Sequence, residues 1–249
     1  KSRSLLVHYG LNNAGARSLA KRLHGKKFRI PVGINIAKTN NRETVAKESG
    51  TADYLRAYRE MGQIGDYVTI NISCPNAYGG CPFTDRENLE YLLTKIATVP
   101  KTKPIFIKLS PDLTLQEIDA IITLARRFKL DGFICSNLTK SRENPRILDT
   151  DFPEYGGMSG KVVDDLSDRL IEYIFRQVGK EFVLIGVGGI FSAEDAYRKI
   201  RKGASLVQLI TGMVFEGPQL IGGINYGLVC LLKRDGFQNI AEAVGVDIR

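Results

Sequence analysis

The strongest constraint on this chain is a rhythm of short apolar runs, nearly all ending in polar residues or glycine, with helix-length stretches in between. Pro31-Val-Gly-Ile-Asn-Ile36, Tyr67 to Ile72, Ile105-Phe-Ile-Lys-Leu109, Asp131-Gly-Phe-Ile-Cys-Ser136, Phe182 to Ile190 and Ser205-Leu-Val-Gln-Leu-Ile210 read as strands. Between and after them, helices are predicted around Tyr54 to Met61, from Arg86 to Val99, from Leu166 to Val178 and from Pro218 onward. Thr114-Leu-Gln-Glu117 has the form of a capping box opening another helix, and Ser192 caps one that runs to about Lys202. Ahead of this series lie a short strand at Ser4 to Val7, a polar loop from Tyr9 to Gly15 and a short helix from Ala16 to Leu23. The stretch from Asn137 to Val163, rich in Arg, Asn, Pro and Gly, reads as irregular.

Strands alternating with helices at this spacing imply a parallel sheet joined by right-handed crossovers. Their near-continuous apolar character fits burial on both faces. An open doubly wound sheet and a (β/α)8 TIM barrel both satisfy that pattern. Polar or glycine residues at nearly every strand end (Asn35, Asn71, Lys108, Ser136-Asn137, Gly188-Gly189, Thr211-Gly212) favour the barrel, which gathers its active site from those ends. About six βα units are visible in 249 residues where a closed barrel has eight. The expectation is one barrel domain over residues 1–249, lacking its first two strands and any N-terminal extension.

Charge and cysteine usage narrow the function. A formal net charge of +8 suits anionic ligands, but the basic residues are scattered and no aromatics are interleaved with them, so nucleic acid is not an expected partner. Four cysteines without a C-x-x-C pair and only two histidines give no expectation of a metal site. The uncharged run from Gly217 to Leu232 is too short to span a bilayer, and no signal peptide is visible, so a cytoplasmic location with reduced thiols is expected.

Candidate chemistry lies at the strand ends. Asn71-Ile-Ser-Cys-Pro-Asn76 puts amides, a hydroxyl and a thiol where a strand gives way to the glycine-bearing loop Ala77-Tyr-Gly-Gly80. Polar groups there are costly unless something binds them. A lone Cys is usually a small buried hydrophobe, but this setting makes Cys74 a candidate base, while Cys81, Cys135 and Cys230 read as structural. Lys108 interrupts an apolar strand and wants a partner, either an anionic cofactor or a structural carboxylate. Asn12, Asn35, Asn71, Asn76 and Asn137 offer donor and acceptor pairs suited to a planar imide or carboxylate ligand, although each alone is a common turn residue. Gly188-Gly189 and Thr211-Gly212 close the last two strands, where barrels often hold a phosphate; tight βα turns would use the same glycines.

Taken in order, Asn71 to Asn76, the Lys108 strand, Ser136-Asn137, Gly156-Gly-Met-Ser-Gly160, Gly186-Val-Gly-Gly-Ile190 and Leu206 to Gly212 resemble dihydroorotate dehydrogenase. Tyr9 to Gly15 and Gly33-Ile-Asn-Ile-Ala-Lys38 resemble its quinone-linked class 2 branch. The resemblance implies FMN-dependent oxidation of dihydroorotate to orotate in pyrimidine (UMP) biosynthesis. By position it implies that Asn35, Asn71, Lys108 and Ser136 contact the flavin, and that Gly160, Gly188, Gly189, Thr211 and Gly212 hold its phosphate side. Asn12, Asn71, Asn76 and Asn137 would hold the substrate, Cys74 would be the general base and Lys108 would offset charge on the reduced flavin. A quinone acceptor is implied, with peripheral membrane contact through a segment absent from the chain. Cys at the base position is the habit of class 1, whereas class 2 members usually have Ser there. Ile210 and Leu138 also stand where the family often has a Tyr and a hydroxyl residue. A related FMN barrel acting on another dihydropyrimidine or on dihydrouridine in tRNA is the competing enzyme reading, and a non-catalytic phosphate-binding barrel is the non-enzyme one.

Overall fold

The computed structural model describes residues 1–248 and divides them into two compact units. One comprises Tyr9–Leu109 and Leu113–Gly132; it is called the amino-terminal unit below. The other comprises Lys1–His8, Ser110–Asp112 and residues 133–248, the carboxy-terminal unit.

In the amino-terminal unit, α1 (Ala16–Leu23) precedes three βα repeats: β2 (Gly33–Ile36) with α2 (Lys47–Met61), β3 (Tyr67–Asn71) with α3 (Arg86–Ile96), and β4 (Ile105–Leu109) with α4 (Leu115–Arg127). The strands lie side by side in parallel, Gly33 facing Tyr67 and Val68 facing Ile105. Ile70 and Ile107 are fully buried between helices that contribute Tyr54, Leu89, Leu92, Ile121 and Leu124. Each such side chain stabilises the fold by roughly 1.5–3 kcal/mol relative to exposure. Tyr54 and Phe83 meet edge to face at 5.2 Å. Gly50 is what lets that happen, because a Cβ there would lie 2.9 Å from the Phe83 ring. The capping box at Thr114 forms as expected, with Glu117 returning to the Thr114 backbone.

The carboxy-terminal unit continues the alternation with β5 (Gly132–Cys135), α5 (Asp164–Val178), β7 (Val183–Val187), α6 (Ala193–Arg201) and β8 (Leu206–Gln208). Its strands run in the order β5-β7-β8, and Ser192 caps α6 as expected. Three helices follow: α7 (Thr211–Glu216), α8 (Gln219–Arg234) and α9 (Ile240–Ala243). The supposedly irregular stretch after Asn137 contains a strand, β6 (Gly157–Gly160), which pairs antiparallel with β1 (Ser4–Val7). Among the described residues no helix is long and apolar enough to cross a membrane. Parallel strands alternating with helices in each unit make the fold class that of a (β/α)8 barrel, with six of its units in this chain.

Candidate active site

Four of the proposed side chains of the amino-terminal unit gather at the carboxyl end of β3 and on its neighbour β4. Asn71 ends β3 directly opposite Lys108 on β4. It is buried, and its Oδ1 accepts the Ser73 backbone N–H at 3.2 Å and the Ser73 hydroxyl at 3.1 Å. Its backbone carbonyl accepts the hydroxyl of Tyr54, reaching across from α2, at 2.7 Å. That bond fixes where the strand stops and the reactive loop starts. Burial of the Tyr54 phenol pushes its pKa well up, so the hydroxyl remains a donor.

Cys74 follows, half-buried, and its carbonyl closes a turn by accepting the Ala77 N–H at 3.3 Å. Asn76 is half-buried in the same turn. Lys108 is half-buried rather than fully enclosed, and among the described residues no carboxylate pairs with it. Burial lowers its ammonium pKa, and the Cys74 thiol is the charge that opposes the fall. Cys81 shares a small pocket with Cys74, Asn71 and Lys38, a neighbourhood not anticipated for it.

Asn12 and Asn35 are exposed and open onto a cleft of about 820 Å³ within this unit, together with Lys38, Asn40 and Arg56. That volume falls within the range of ligand sites. Two residues of this neighbourhood, Lys38 and Tyr54, escaped the sequence reading. Lys38 carried one signal, a lysine directly after an apolar strand. Tyr54 carried none, because its place in helical periodicity is that of a core aromatic.

The carboxy-terminal unit assembles a different kind of site. Thr211 is buried and its hydroxyl donates to Ser159 Oγ at 2.8 Å. A Cβ on Gly160 would come within 3.0 Å of the Thr211 methyl, and one on Gly212 would lie 2.1 Å from the Ile190 carbonyl oxygen. These close approaches, one to a side-chain methyl and one to a backbone carbonyl, bring the ends of β6, β7 and β8 together. Gly188 and Gly189 take positive φ, at 119° and 73°. A Cβ on Gly189 would strike the Asp164 side chain. Ser136 is fully buried and its N–H donates to the Val187 carbonyl at 2.9 Å; Asn137 turns its Oδ1 back onto the Leu138 N–H at 2.9 Å.

Beneath the glycine turn lies a buried charge network. Arg198 donates to Asp164 and Asp168 at 2.7 Å, Lys199, fully buried, donates to Asp168 at 2.6 Å, and Lys161 donates to Asp195 at 2.6 Å. Asp195 also accepts the Phe191 N–H at 2.9 Å, which ties the turn to this network. Burial pushes the Cys135 thiol pKa up, consistent with a structural role.

Strand ends bearing amides, a thiol and a lysine, with glycine turns closing later strands, define an enzyme of the α/β-barrel class. The family model for dihydroorotate dehydrogenase matches residues 1–232. A protein of Natronomonas pharaonis named dihydroorotate dehydrogenase (quinone) is 41% identical over 249 residues, covering 100% of this chain and 69% of its own length. One of that name from Nostoc punctiforme is 38% identical over 258 residues, covering 99% and 68%. The crystal structure of ligand-free DHODH from Eimeria tenella superposes with a TM-score of 0.89 at 26% identity, covering 99% of this chain and 75% of that one. The chain belongs to the dihydroorotate dehydrogenase family of oxidoreductases, and spans about two thirds of the length of these curated relatives.

Proposed function

We propose that this chain oxidises dihydroorotate to orotate with FMN as cofactor, in the synthesis of pyrimidine nucleotides, and that Cys74 is its general base. The observation that carries the reading is the end of β3, where Asn71 and Asn76 flank a half-buried thiol and Asn71 faces Lys108 on the next strand. The donor set suits a flavin. An ammonium without a carboxylate partner among the described residues, amides at strand ends and glycine turns with positive φ are what an anionic, planar cofactor requires.

The roles divide by residue type. Asn12, Asn71, Asn76 and Asn137 hold the substrate amides and carboxylate. Asn35, Asn71, Lys108 and Ser136 meet the flavin ring, and Gly160, Gly188, Gly189, Thr211 and Gly212 receive the phosphate side. Bound FMN would supply the acceptor for the substrate hydride. Cys74 Sγ, as thiolate, takes the proton from the substrate carbon next to the ring carbonyl, and the Asn71 and Asn76 amides keep that carbon in reach. General-base catalysis of this kind contributes roughly 10²–10⁴-fold in rate. Lys108 supplies the positive partner for the electron-rich ring, an electrostatic role strengthened by its low-dielectric strand.

The relatives are named for quinone, so a quinone is the proposed electron acceptor, with peripheral contact at a membrane surface where such acceptors dissolve. Anaerobic addition of dihydroorotate to the FMN-loaded protein tests the activity: the flavin absorbance should bleach, and dihydrouracil or dihydrouridine should leave it unchanged. A protein that takes up no FMN, or that bleaches only with the other dihydropyrimidines, would overturn the reading.

A further inference from the structure

Lys38 lies two residues past β2, is only 5% exposed, and donates from Nζ to the carbonyl of Tyr78 at 2.7 Å. The Tyr78 N–H in turn donates to Asn40 Oδ1 at 2.6 Å. Both backbone polar groups of one residue, four positions past Cys74, are therefore held from the segment that follows β2. Gly79 comes next, at φ 75°, and packs so closely on Val45 that a Cβ would lie 2.8 Å from it.

The clamp explains the hydrogen bond but not the charge. An uncharged amide could bind the Tyr78 carbonyl without the penalty of burying an ammonium. The ion pairs of the described residues give Lys38 no carboxylate within 4.0 Å, and its pKa is lowered by burial. The nearby carboxylate, Asp53, already accepts the Thr39 N–H at 2.6 Å and pairs with Arg56 at 2.5 Å. Of the charges that favour protonated Lys38, Cys74 ranks first, ahead of Cys81 and Asp53. Lys38, Cys74, Cys81 and Asn71 line one small pocket. Around Cys74 stand Lys38 from the segment after β2, Lys108 from β4, Tyr54 from α2 and Cys81 from its own loop, with Asp53 of α2 beyond them facing Lys38 and Tyr54. Two of these carry positive charge, and the single carboxylate is matched by Arg56.

We propose that Lys38 is a positioning residue for Cys74, fastening the loop at Tyr78 while holding an ammonium where the thiolate forms. The proposal rests on the reading of Cys74 as the base. Its test reads the thiol directly: the rate of Cys74 alkylation by iodoacetamide is followed against pH in the folded protein, the Cys74 peptide being resolved by mass spectrometry. Cys230, exposed on α8, is the internal standard.

Lys38→Gln keeps a donor for the Tyr78 carbonyl and removes the charge; Lys38→Arg keeps the charge. The Gln variant should raise the alkylation midpoint of Cys74 by about one pH unit or more, a tenfold loss of reactive thiolate below both midpoints, with the Cys230 midpoint unmoved. The Arg variant should recover most of the shift. A Gln profile that coincides with the unsubstituted protein, or an Arg profile as displaced as the Gln one, would overturn the role of Lys38. Failure of the base assignment is seen separately: Cys74→Ala that still reduces flavin at full rate removes the base, whatever the alkylation midpoints show.

Discussion

The two units carry their proposed site residues in opposite materials. The amino-terminal unit presents side chains, namely Asn71, Cys74, Asn76 and Lys108, on strand ends held in place by Tyr54 and Lys38. The carboxy-terminal unit presents backbone, at Gly160, Gly188, Gly189 and Gly212, and sets it over the Asp164, Asp168 and Asp195 charge network. A side-chain site can be disarmed without disturbing the fold that carries it. A backbone site cannot, because the contacts that shape the turn are also contacts of the core.

Substitutions that separate rate from stability put this contrast to the test. The largest effect expected is on rate: Cys74→Ala should slow flavin reduction by dihydroorotate roughly 10²–10⁴-fold while the thermal midpoint hardly moves. Stopped-flow reduction beside a melting curve checks both, and a rate loss tracked by an equal loss of stability would erase the contrast. Asp164→Ala should do the reverse, destabilising by roughly 1.5–3 kcal/mol in denaturant titration because Arg198 and Lys199 each lose one carboxylate partner while keeping Asp168. Gly212→Ala forces a Cβ onto the Ile190 carbonyl and should cost about 1–3 kcal/mol, with weaker FMN uptake in fluorescence titration. Full stability with normal FMN uptake in that variant would show that the turn has slack. The smallest effect belongs to Tyr54→Phe, which leaves the Asn71 carbonyl short of a buried donor and should cost about 1 kcal/mol. Its rate loss should exceed its stability loss if the bond also aims the Cys74 loop.

Most of the strand pattern was legible because β3, β4 and β5 are buried on both faces and read as nearly unbroken apolar runs, whereas β2 and β8 are partly exposed. Their ends were less so. The first was expected from Pro31 but begins at Gly33, since proline has no N–H to give the ladder. The run expected to reach Ile190 stops at Val187, where Gly188 turns to positive φ. The helix expected around Tyr54 begins at Lys47, through Gly50 and Thr51, which are weak helix formers tolerated because Phe83 needs the space above Gly50. β6 was invisible: Gly-Met-Ser-Gly has no alternation, and its stability comes from β1, far away in sequence. At the proposed site, the grouping of Cys74 with Asn71 and Asn76 at the end of a strand was legible from their closeness in sequence. Lys38 and Tyr54 were not, since both act through backbone carbonyls that no sequence pattern marks.

The pairing of β1 with β6 joins Ser4 to Gly160 and Val7 to Gly157. On a ribosome adding about 5–20 residues per second, Ser-Leu-Leu-Val would emerge and then wait roughly 10–30 s for its partner to be made. During that interval an apolar ribbon with unpaired backbone stands open to other nascent chains, to chaperones and to proteases. The earlier-made of these two strands is therefore secured only late, and the yield of folded protein should depend on how well the cell shields those four residues until then.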